Sequence, residues 1–260
     1  MRPKIDPPPP LAGWFPVERR GSLPPHSWYE LLKTVLDFVL ALVLFLLTLP
    51  VILLAGLAVK LTSPGPIFYR QTRLGKDGRP FTLYKIRSMR RDSEKNGACW
   101  SAKGDPRITF IGCILRATHL DELPQLWNVL RGEMSLVGPR PERPEFIPTL
   151  EQAIPRYGER LRVRPGVTGL AQVRLPADTD LESVRQKLLY DLYYVENYGV
   201  WLDLRVILAT ALKMFGVPFQ VLGALFLLPR VGEAPSVGEP SAASGQVFVG
   251  QLTLNPAEPG

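Results

Sequence analysis

The stretch from Phe38 to Val59 constrains this chain more than any other part of its sequence. It contains 22 consecutive uncharged and mostly apolar residues in a chain of 260. At about 1.5 Å per residue, a straight helix of this length roughly matches the thickness of the hydrocarbon core of a bilayer. The stretch predicts a membrane-bound protein, since residues 1–27 lack the apolar core and cleavage site of a secretory signal peptide.

Pro50 lies near the middle of this stretch and leaves two topologies open. Proline lacks an N–H and clashes with the preceding helical turn, so it kinks or breaks a helix. Basic residues flank the stretch on both sides, so the preference of basic loops for the cytoplasm gives no orientation for a single crossing. A re-entrant helix-break-helix hairpin over residues 31–60 satisfies both flanks, and one kinked transmembrane helix is equally consistent with the residues.

The overall composition is that of a globular protein with a concentrated positive charge. The chain is 46% hydrophobic and 21% charged, which excludes collagen-like and fully disordered chains. The net charge is +7, and residues 60–165 hold 20 basic against 11 acidic side chains. This excess indicates a phosphate-bearing partner or an anionic membrane. With only Cys99, Cys113 and two histidines, a disulfide scaffold is excluded and a closed zinc site is disfavoured.

Apolar patterning predicts a mainly helical α+β protein. Two β-rich runs, 67–73 and 81–87, surround Lys76-Asp77-Gly78 and predict a β-hairpin. Residues 88–118 are polar and predict irregular structure. Helical spacing predicts three helices, over 123–130, 181–198 and 202–215. The helix over 202–215 has an apolar face interrupted by charged residues, which predicts an amphipathic helix at the membrane interface.

These patterns divide the chain into four parts. Residues 1–30 form a Pro-rich N-terminal segment, 31–60 the membrane hairpin, and 61–215 the catalytic domain. Residues 216–260 combine an apolar stretch with a tail rich in Pro, Gly, Ser and Ala, a composition typical of disorder.

Adjacent carboxylates at Asp121 and Glu122 are the best candidates for chemistry. Pro124 suits only the first turn of a helix, which places a helix start beside them. Helix starts attract phosphate, and two carboxylates supply hard oxygens for a Mg²⁺ ion bridging to it. Arg140, held between two prolines, suits bidentate phosphate binding. Helix capping and a solvated turn would explain the same residues without any function.

Several motifs in a fixed order resemble the monotopic bacterial sugar transferases, the polyprenyl-phosphate phosphoglycosyl transferases. Asp-Glu-Leu-Pro-Gln at 121–125 and Gly-Glu-Met-Ser-Leu-Val-Gly-Pro-Arg-Pro at 132–141 carry the resemblance. It extends over residues 30–215 through further motifs at 60–71, 84–89, 104–109, 164–170 and 191–198.

The resemblance implies an enzyme that moves a sugar 1-phosphate from a UDP-sugar to undecaprenyl phosphate and releases UMP. Such enzymes initiate membrane glycoconjugate or exopolysaccharide synthesis at the cytoplasmic face of the bacterial inner membrane, with glycosyltransferases acting downstream. Asp121 would be the nucleophile, forming a phosphosugar-aspartate, and both Glu122 and Asp121 would hold Mg²⁺. The substrate phosphates would be bound by Arg116, Arg140, Lys85 and Arg87, although Lys85 and Arg87 also fit fold-supporting ion pairs.

Two other functions stay open on the sequence. A Mg²⁺-dependent phosphohydrolase would use the same carboxylates with water as the acceptor, and it would release more than one equivalent of UMP without lipid. A basic membrane-tethered adaptor would bind anionic lipid by charge alone and would tolerate Asp121→Asn. No helix-turn-helix, zinc or aromatic-interleaved strand motif indicates nucleic-acid binding.

Overall fold

The structure is a computed structural model that describes residues 27–91, 93, 105–176, 180–214 and 216–229. Most of the predicted Pro-rich segment, the tail from residue 230 onward and Cys99 lie outside the described residues. The predicted mainly helical α+β class is confirmed. The elements are α1 Ser27–Thr62, β1 Phe68–Leu74, β2 Pro80–Ile86, α2 Phe110–Ala117, α3 Gln125–Leu130, β3 Ser135–Val137, α4 Ile147–Ala153, β4 Gly166–Thr168, α5 Leu170–Arg174, α6 Leu181–Asn197, α7 Val200–Met214 and α8 Phe219–Leu225.

Helix α1 covers the whole apolar stretch in one piece. It runs from Ser27 to Thr62 with Pro50 inside it, so the predicted break into two helices at Pro50 is absent. Proline removes only its own N–H from the helical hydrogen bonds, whereas a full break in apolar surroundings would leave more backbone groups without partners. By length and composition alone the helix could cross a membrane, and only 11% of its most apolar 18-residue window is buried.

One face of α1 packs against the rest of the protein near both of its ends. Its buried residues recur at helical spacing and include Tyr29, Ala41, Ile52 and Val59. The Tyr29 hydroxyl donates to Asp203 Oδ2 at 2.7 Å, while Ile52 and Val59 pack in one apolar cluster with Ile86 and Leu115. Both halves of α1 therefore contact the same folded body.

The predicted β-hairpin is confirmed. Strands β1 and β2 pair antiparallel, with Tyr69 opposite Lys85 and Thr72 opposite Thr82. The chain reverses through Asp77 and Gly78, whose φ angles of 57° and 71° are left-handed. Asp and Gly tolerate this region better than most residues, so local turn chemistry explains why the prediction succeeded.

Helix α2 corrects the expectation that residues 88–118 are irregular throughout. Thr109 caps it, because its Oγ1 accepts a hydrogen bond from the Gly112 N–H at 3.0 Å. Two of its large apolar side chains, Phe110 and Ile114, are 81% and 47% exposed. Apolar residues on the outer face of a short helix obscure the pattern that identifies helices in soluble proteins.

The second sheet is a parallel pair formed by β3 and β4, with Ser135 opposite Gly166 and Val137 opposite Thr168. The backbones approach closely where β3 ends. A Cβ atom on Gly138 would lie 2.4 Å from the Arg164 carbonyl oxygen, so this position requires glycine. The close approach positions the Pro-Arg-Pro run that follows β3.

Helices α6 and α7 confirm two of the predicted helices. Helix α6 begins with a capping box in which the Asp180 side chain accepts from the Ser183 N–H at 2.8 Å. Helix α7 is apolar on both sides, with one face buried and with Trp201 74% exposed on the other. An apolar exposed face fits the predicted interfacial position.

Candidate active site

A cavity of about 1280 Å³ lies between the β-hairpin, the Asp121-Glu122 turn and the loop after β3. Eleven basic side chains of the described residues line it against three carboxylates, and such an excess attracts anions. The basic residues are Lys60, Arg70, Arg73, Lys85, Arg87, Arg90, Arg91, Arg107, Arg116, Arg140 and Arg143, and the acidic ones are Asp121, Glu122 and Glu142.

The two candidate carboxylates lie in the 3₁₀ turn Leu120–Glu122, directly before α3. His119 precedes this turn in the left-handed region with a φ of 56°, and its carbonyl accepts from the Glu122 N–H at 3.1 Å. Pro124 adopts a helical φ of −63° at the start of α3. The carboxylates therefore stand at a helix start as predicted, although α3 is only six residues long.

Glu122 is bound by two cations. Its Oε1 accepts from Lys85 Nζ at 2.6 Å and from Arg140 Nη2 at 2.8 Å. Burial alone would raise the pKa of Glu122, but Arg140 and Lys85 outweigh it and hold this pKa well below its ordinary value. Glu122 is therefore ionised at neutral pH.

Asp121 has the opposite surroundings. It is 6% exposed and lines the cavity, and no residue in the described part of the chain donates a hydrogen bond to its carboxylate. Burial raises the pKa of Asp121, and the nearby Lys85 opposes this shift only in part. One carboxylate of the pair is thus held by cations and the other faces the cavity with its oxygens available.

The other predicted phosphate-binding residues differ in their availability. Arg116 lines the cavity and donates from Nε to Ser88 Oγ at 2.9 Å. Arg87 is 5% exposed, and its two terminal nitrogens donate to the Pro64 and Ser63 carbonyls at 2.6 and 2.7 Å. Arg87 therefore holds the turn after α1, and binding a phosphate would require it to give up these contacts. Lys85, Arg116 and Arg140 line the same cavity, and Lys85 and Arg140 donate to the candidate carboxylate Glu122.

Sequence reasoning missed the contacts that hold Arg140. Four consecutive carbonyls of the loop after β3 accept hydrogen bonds from three distant segments of the chain. Only the flanking prolines and scattered arginines signalled this arrangement. The bonds are Gly166 N to Pro139 O at 2.9 Å, Arg160 Nη2 to Arg140 O at 2.9 Å, Arg73 Nη1 to Pro141 O at 3.0 Å and Leu74 N to Glu142 O at 3.0 Å.

The carboxylate pair suits a Mg²⁺ ion that is shared with a phosphate. In the described residues, no cluster of three or more His, Cys, Asp or Glu side chains could hold a metal by itself. Asp121 keeps both oxygens available, and Glu122 Oε2 has only a 3.5 Å contact with Arg140. Mg²⁺ commonly binds one or two carboxylates and completes its coordination with phosphate oxygens and water. The residues present therefore fit this ion.

Comparison with known proteins identifies the family of this chain. Residues 28–217 match the family described as bacterial sugar transferase. Over 194 residues the chain is 46% identical to the UDP-glucose:undecaprenyl-phosphate glucose-1-phosphate transferase of Caulobacter vibrioides, covering 74% of this chain and 73% of that protein.

Two longer relatives are also similar to this chain. The UDP-N-acetylgalactosamine-undecaprenyl-phosphate N-acetylgalactosaminephosphotransferase of Aeromonas hydrophila is 42% identical over 190 residues, covering 73% of this chain and 45% of that protein. The UDP-glucose:undecaprenyl-phosphate glucose-1-phosphate transferase of Escherichia coli is 44% identical over 203 residues, covering 77% of this chain and 44% of that protein. The chain thus spans less than half the length of these two proteins. With most of its residues inside the family match, this chain belongs to the bacterial sugar transferase family.

Proposed function

We propose that this chain transfers a sugar 1-phosphate from a UDP-sugar to undecaprenyl phosphate and releases UMP. The observation that carries the proposal is the contrast between the two adjacent carboxylates. Glu122 is bound by two cations, whereas Asp121 faces a cation-lined cavity without a hydrogen bond from the described residues. The names of the three relatives support the same classes of donor and acceptor.

The proposed reaction has two displacements at one phosphorus atom. In the first, an Asp121 oxygen attacks the phosphorus that carries the sugar, the bond from this phosphorus to the UMP oxygen breaks, and UMP leaves. In the second, a phosphate oxygen of undecaprenyl phosphate attacks the same phosphorus, and the Asp121 carboxylate leaves. A covalent phosphosugar-aspartate thus divides one difficult displacement between two easier ones.

The cations around Asp121 bind the phosphates and stabilise the charge that develops in each step. Lys85 and Arg140 already contact Glu122, which fixes their positions beside Asp121. Positive groups held in place before the reaction need no rearrangement when charge develops. Asp121 and Glu122 would hold Mg²⁺, which when bound supplies charge that offsets the repulsion between the carboxylates and the diphosphate.

We place the reaction at the cytoplasmic face of the bacterial inner membrane, with α1 embedded in the bilayer. Support for both ends of α1 lying on the same side of the bilayer comes from the contacts of those ends. Tyr29 near its start contacts Asp203, and Val59 near its end packs with Ile86. A helix that crossed the bilayer would carry one of these ends away from the body that both of them contact.

Intact mass and UMP release test this function directly. The wild-type protein, incubated with a UDP-sugar, should gain the mass of the phosphosugar and release one equivalent of UMP before any lipid is added. Asp121→Asn should lose both, because it removes the anionic oxygen at nearly constant shape, and Glu122→Gln should slow both. Asp77→Asn, in the hairpin turn, is the matched control and should behave as wild type.

Three outcomes would change the proposal. No UMP before lipid is added would show that the lipid phosphate attacks the donor directly. Continued UMP release without lipid, beyond one equivalent, would show a hydrolase. Lipid binding that survives Asp121→Asn with no transfer by the wild type would show an adaptor. A panel of UDP-sugars in the same assay identifies the donor.

A further inference from the structure

Arg160 and Asp191 form a buried ion pair for which the proposed chemistry gives no role. Arg160 Nη2 lies 2.7 Å from Asp191 Oδ2, and their side chains are only 9% and 5% exposed. Arg160 belongs to the 3₁₀ turn Tyr157–Arg162 and Asp191 to α6. Neither residue lines the cavity. Any effect of this pair on the reaction must therefore pass through another residue.

That residue is Arg140. The same Arg160 Nη2 that pairs with Asp191 also donates to the Arg140 carbonyl at 2.9 Å. The Arg140 guanidinium in turn donates to Glu122 at 2.8 Å. Because prolines on both sides of Arg140 restrict the backbone, fixing its carbonyl also fixes the point from which the side chain extends. A continuous path thus runs from α6 to the carboxylate pair.

We propose that Asp191, acting through Arg160, is a positioning residue that holds the Arg140 guanidinium at the active site. This inference rests on the proposed function, because it assigns Arg140 a role in binding the donor phosphates. It gives the motif at 191–198 a part in the reaction although that motif lies outside the cavity.

The Tyr157 hydroxyl holds Nη1 of Arg160, and we expect the charge of Asp191 to hold Nη2 beside the Arg140 carbonyl. A buried guanidinium needs a counter-charge, and the Asp191 carboxylate is the nearest one to Arg160 among the described residues. The next carboxylate is Glu142, whose Oε2 lies 3.9 Å from Arg160 Nη1. When Asp191 is neutralised, Arg160 should move toward Glu142, and its bond to the Arg140 carbonyl should lengthen or break.

A double-mutant cycle on the full chain tests the path. Asp191→Asn should lower kcat/KM for UMP release by about tenfold to a hundredfold, the usual cost of a misplaced binding group. In an Arg140→Ala background the same change should cost less than about threefold, because both changes remove one interaction. Rates are normalised to the folded fraction, measured by thermal unfolding of each variant in the same detergent.

Two further variants separate positioning from stability. Leu188→Ala removes a buried apolar side chain one turn away on α6 and should lower the melting temperature while leaving kcat/KM per folded protein unchanged. Asp191→Glu lengthens the side chain but keeps the charge that pairs with Arg160. Because the charge is kept, this variant should fold well and lose less activity than Asp191→Asn. Its loss should also shrink in the Arg140→Ala background.

The proposal is overturned if the losses from Asp191→Asn or Asp191→Glu multiply with that of Arg140→Ala, or if Leu188→Ala reduces kcat/KM equally. An active wild type with multiplying losses would remove only the positioning role. An inactive wild type, tested against the panel of UDP-sugars with undecaprenyl phosphate, would instead contradict the proposed function.

Discussion

Asp203 joins the N-terminal half of α1 to the rest of the protein, so neutralising it tests how the apolar helix is held. Its Oδ2 accepts from the Tyr29 hydroxyl at 2.7 Å and from Lys33 Nζ, and its Oδ1 accepts from the Tyr194 hydroxyl at 2.7 Å. The side chains of Asp203 and Lys33 are 10% and 14% exposed. Asp37, 3.6 Å from Lys33 Nζ, would be the remaining counter-charge.

The size of the effect follows from these contacts. Asp203→Asn keeps the shape, but an amide nitrogen replaces one accepting oxygen and the negative charge is lost. Breaking a buried ion pair costs about 3–5 kcal/mol, and losing a hydrogen bond to a charged group costs about 1.5–3 kcal/mol. Because Lys33 keeps Asp37, we expect a loss of about 2–3 kcal/mol in the free energy of unfolding. For a protein of this size that lowers the melting temperature by roughly 5–10 °C.

Thermal unfolding in detergent, followed by circular dichroism, measures this loss. Glu196→Gln is the matched control, because this carboxylate pairs with Arg156 at 3.2 Å while both side chains are more than half exposed. An exposed pair contributes about 0–1 kcal/mol, so its loss should hardly change the melting temperature. If Asp203→Asn melted no lower than Glu196→Gln, the buried contacts of Asp203 would not hold α1 and this reasoning would be refuted.

Three further predictions concern the loop after β3, the metal and the topology. Gly138→Ala should abolish UMP release and lower the melting temperature, because its Cβ would lie 2.4 Å from a backbone oxygen. The control Gly199→Ala meets no atom within 4 Å and should match wild type in both assays. Excess chelator should stop turnover, and added Mg²⁺ should restore it. Mn²⁺ binding, followed by electron paramagnetic resonance, should be tight only when a UDP-sugar is present. Tight binding to the protein alone would contradict a metal site shared between the carboxylates and the donor phosphate. With the native cysteines replaced, Ser27→Cys and Ser63→Cys should both resist an impermeant thiol reagent in intact cells. External labelling of either would contradict the placement of both ends of α1 on the cytoplasmic side.

Local features of this fold could be predicted from the sequence because their causes are local. The β-hairpin follows from Asp77 and Gly78, which tolerate the left-handed backbone of its turn. Pro124 marked the helix start that carries the carboxylate pair. Pro50 was the exception, since a proline inside a long apolar helix leaves the other helical hydrogen bonds available and does not by itself end the helix.

Contacts between distant segments could not be predicted in this way. Tyr29 and Asp203 are 174 positions apart, and Arg73 lies 68 positions from the Pro141 carbonyl that it binds. No periodicity or motif encodes such a pairing. The same limit applies to Arg87, whose type and motif suggested a phosphate, while the fold directs its guanidinium to two backbone carbonyls. A basic residue that lines the cavity can thus be engaged by the fold itself.

The cavity reaches from Lys60 in the last turn of α1 to Arg143 in the loop after β3. It therefore begins where the apolar surface of α1 gives way to a charged surface, and Asp121 lies on its wall. In the proposed reaction, the lipid phosphate would approach from the α1 side and the water-soluble nucleotide from the other. In the proposed reaction UMP would leave before the lipid phosphate attacks, so the two substrates would use one set of cations in turn.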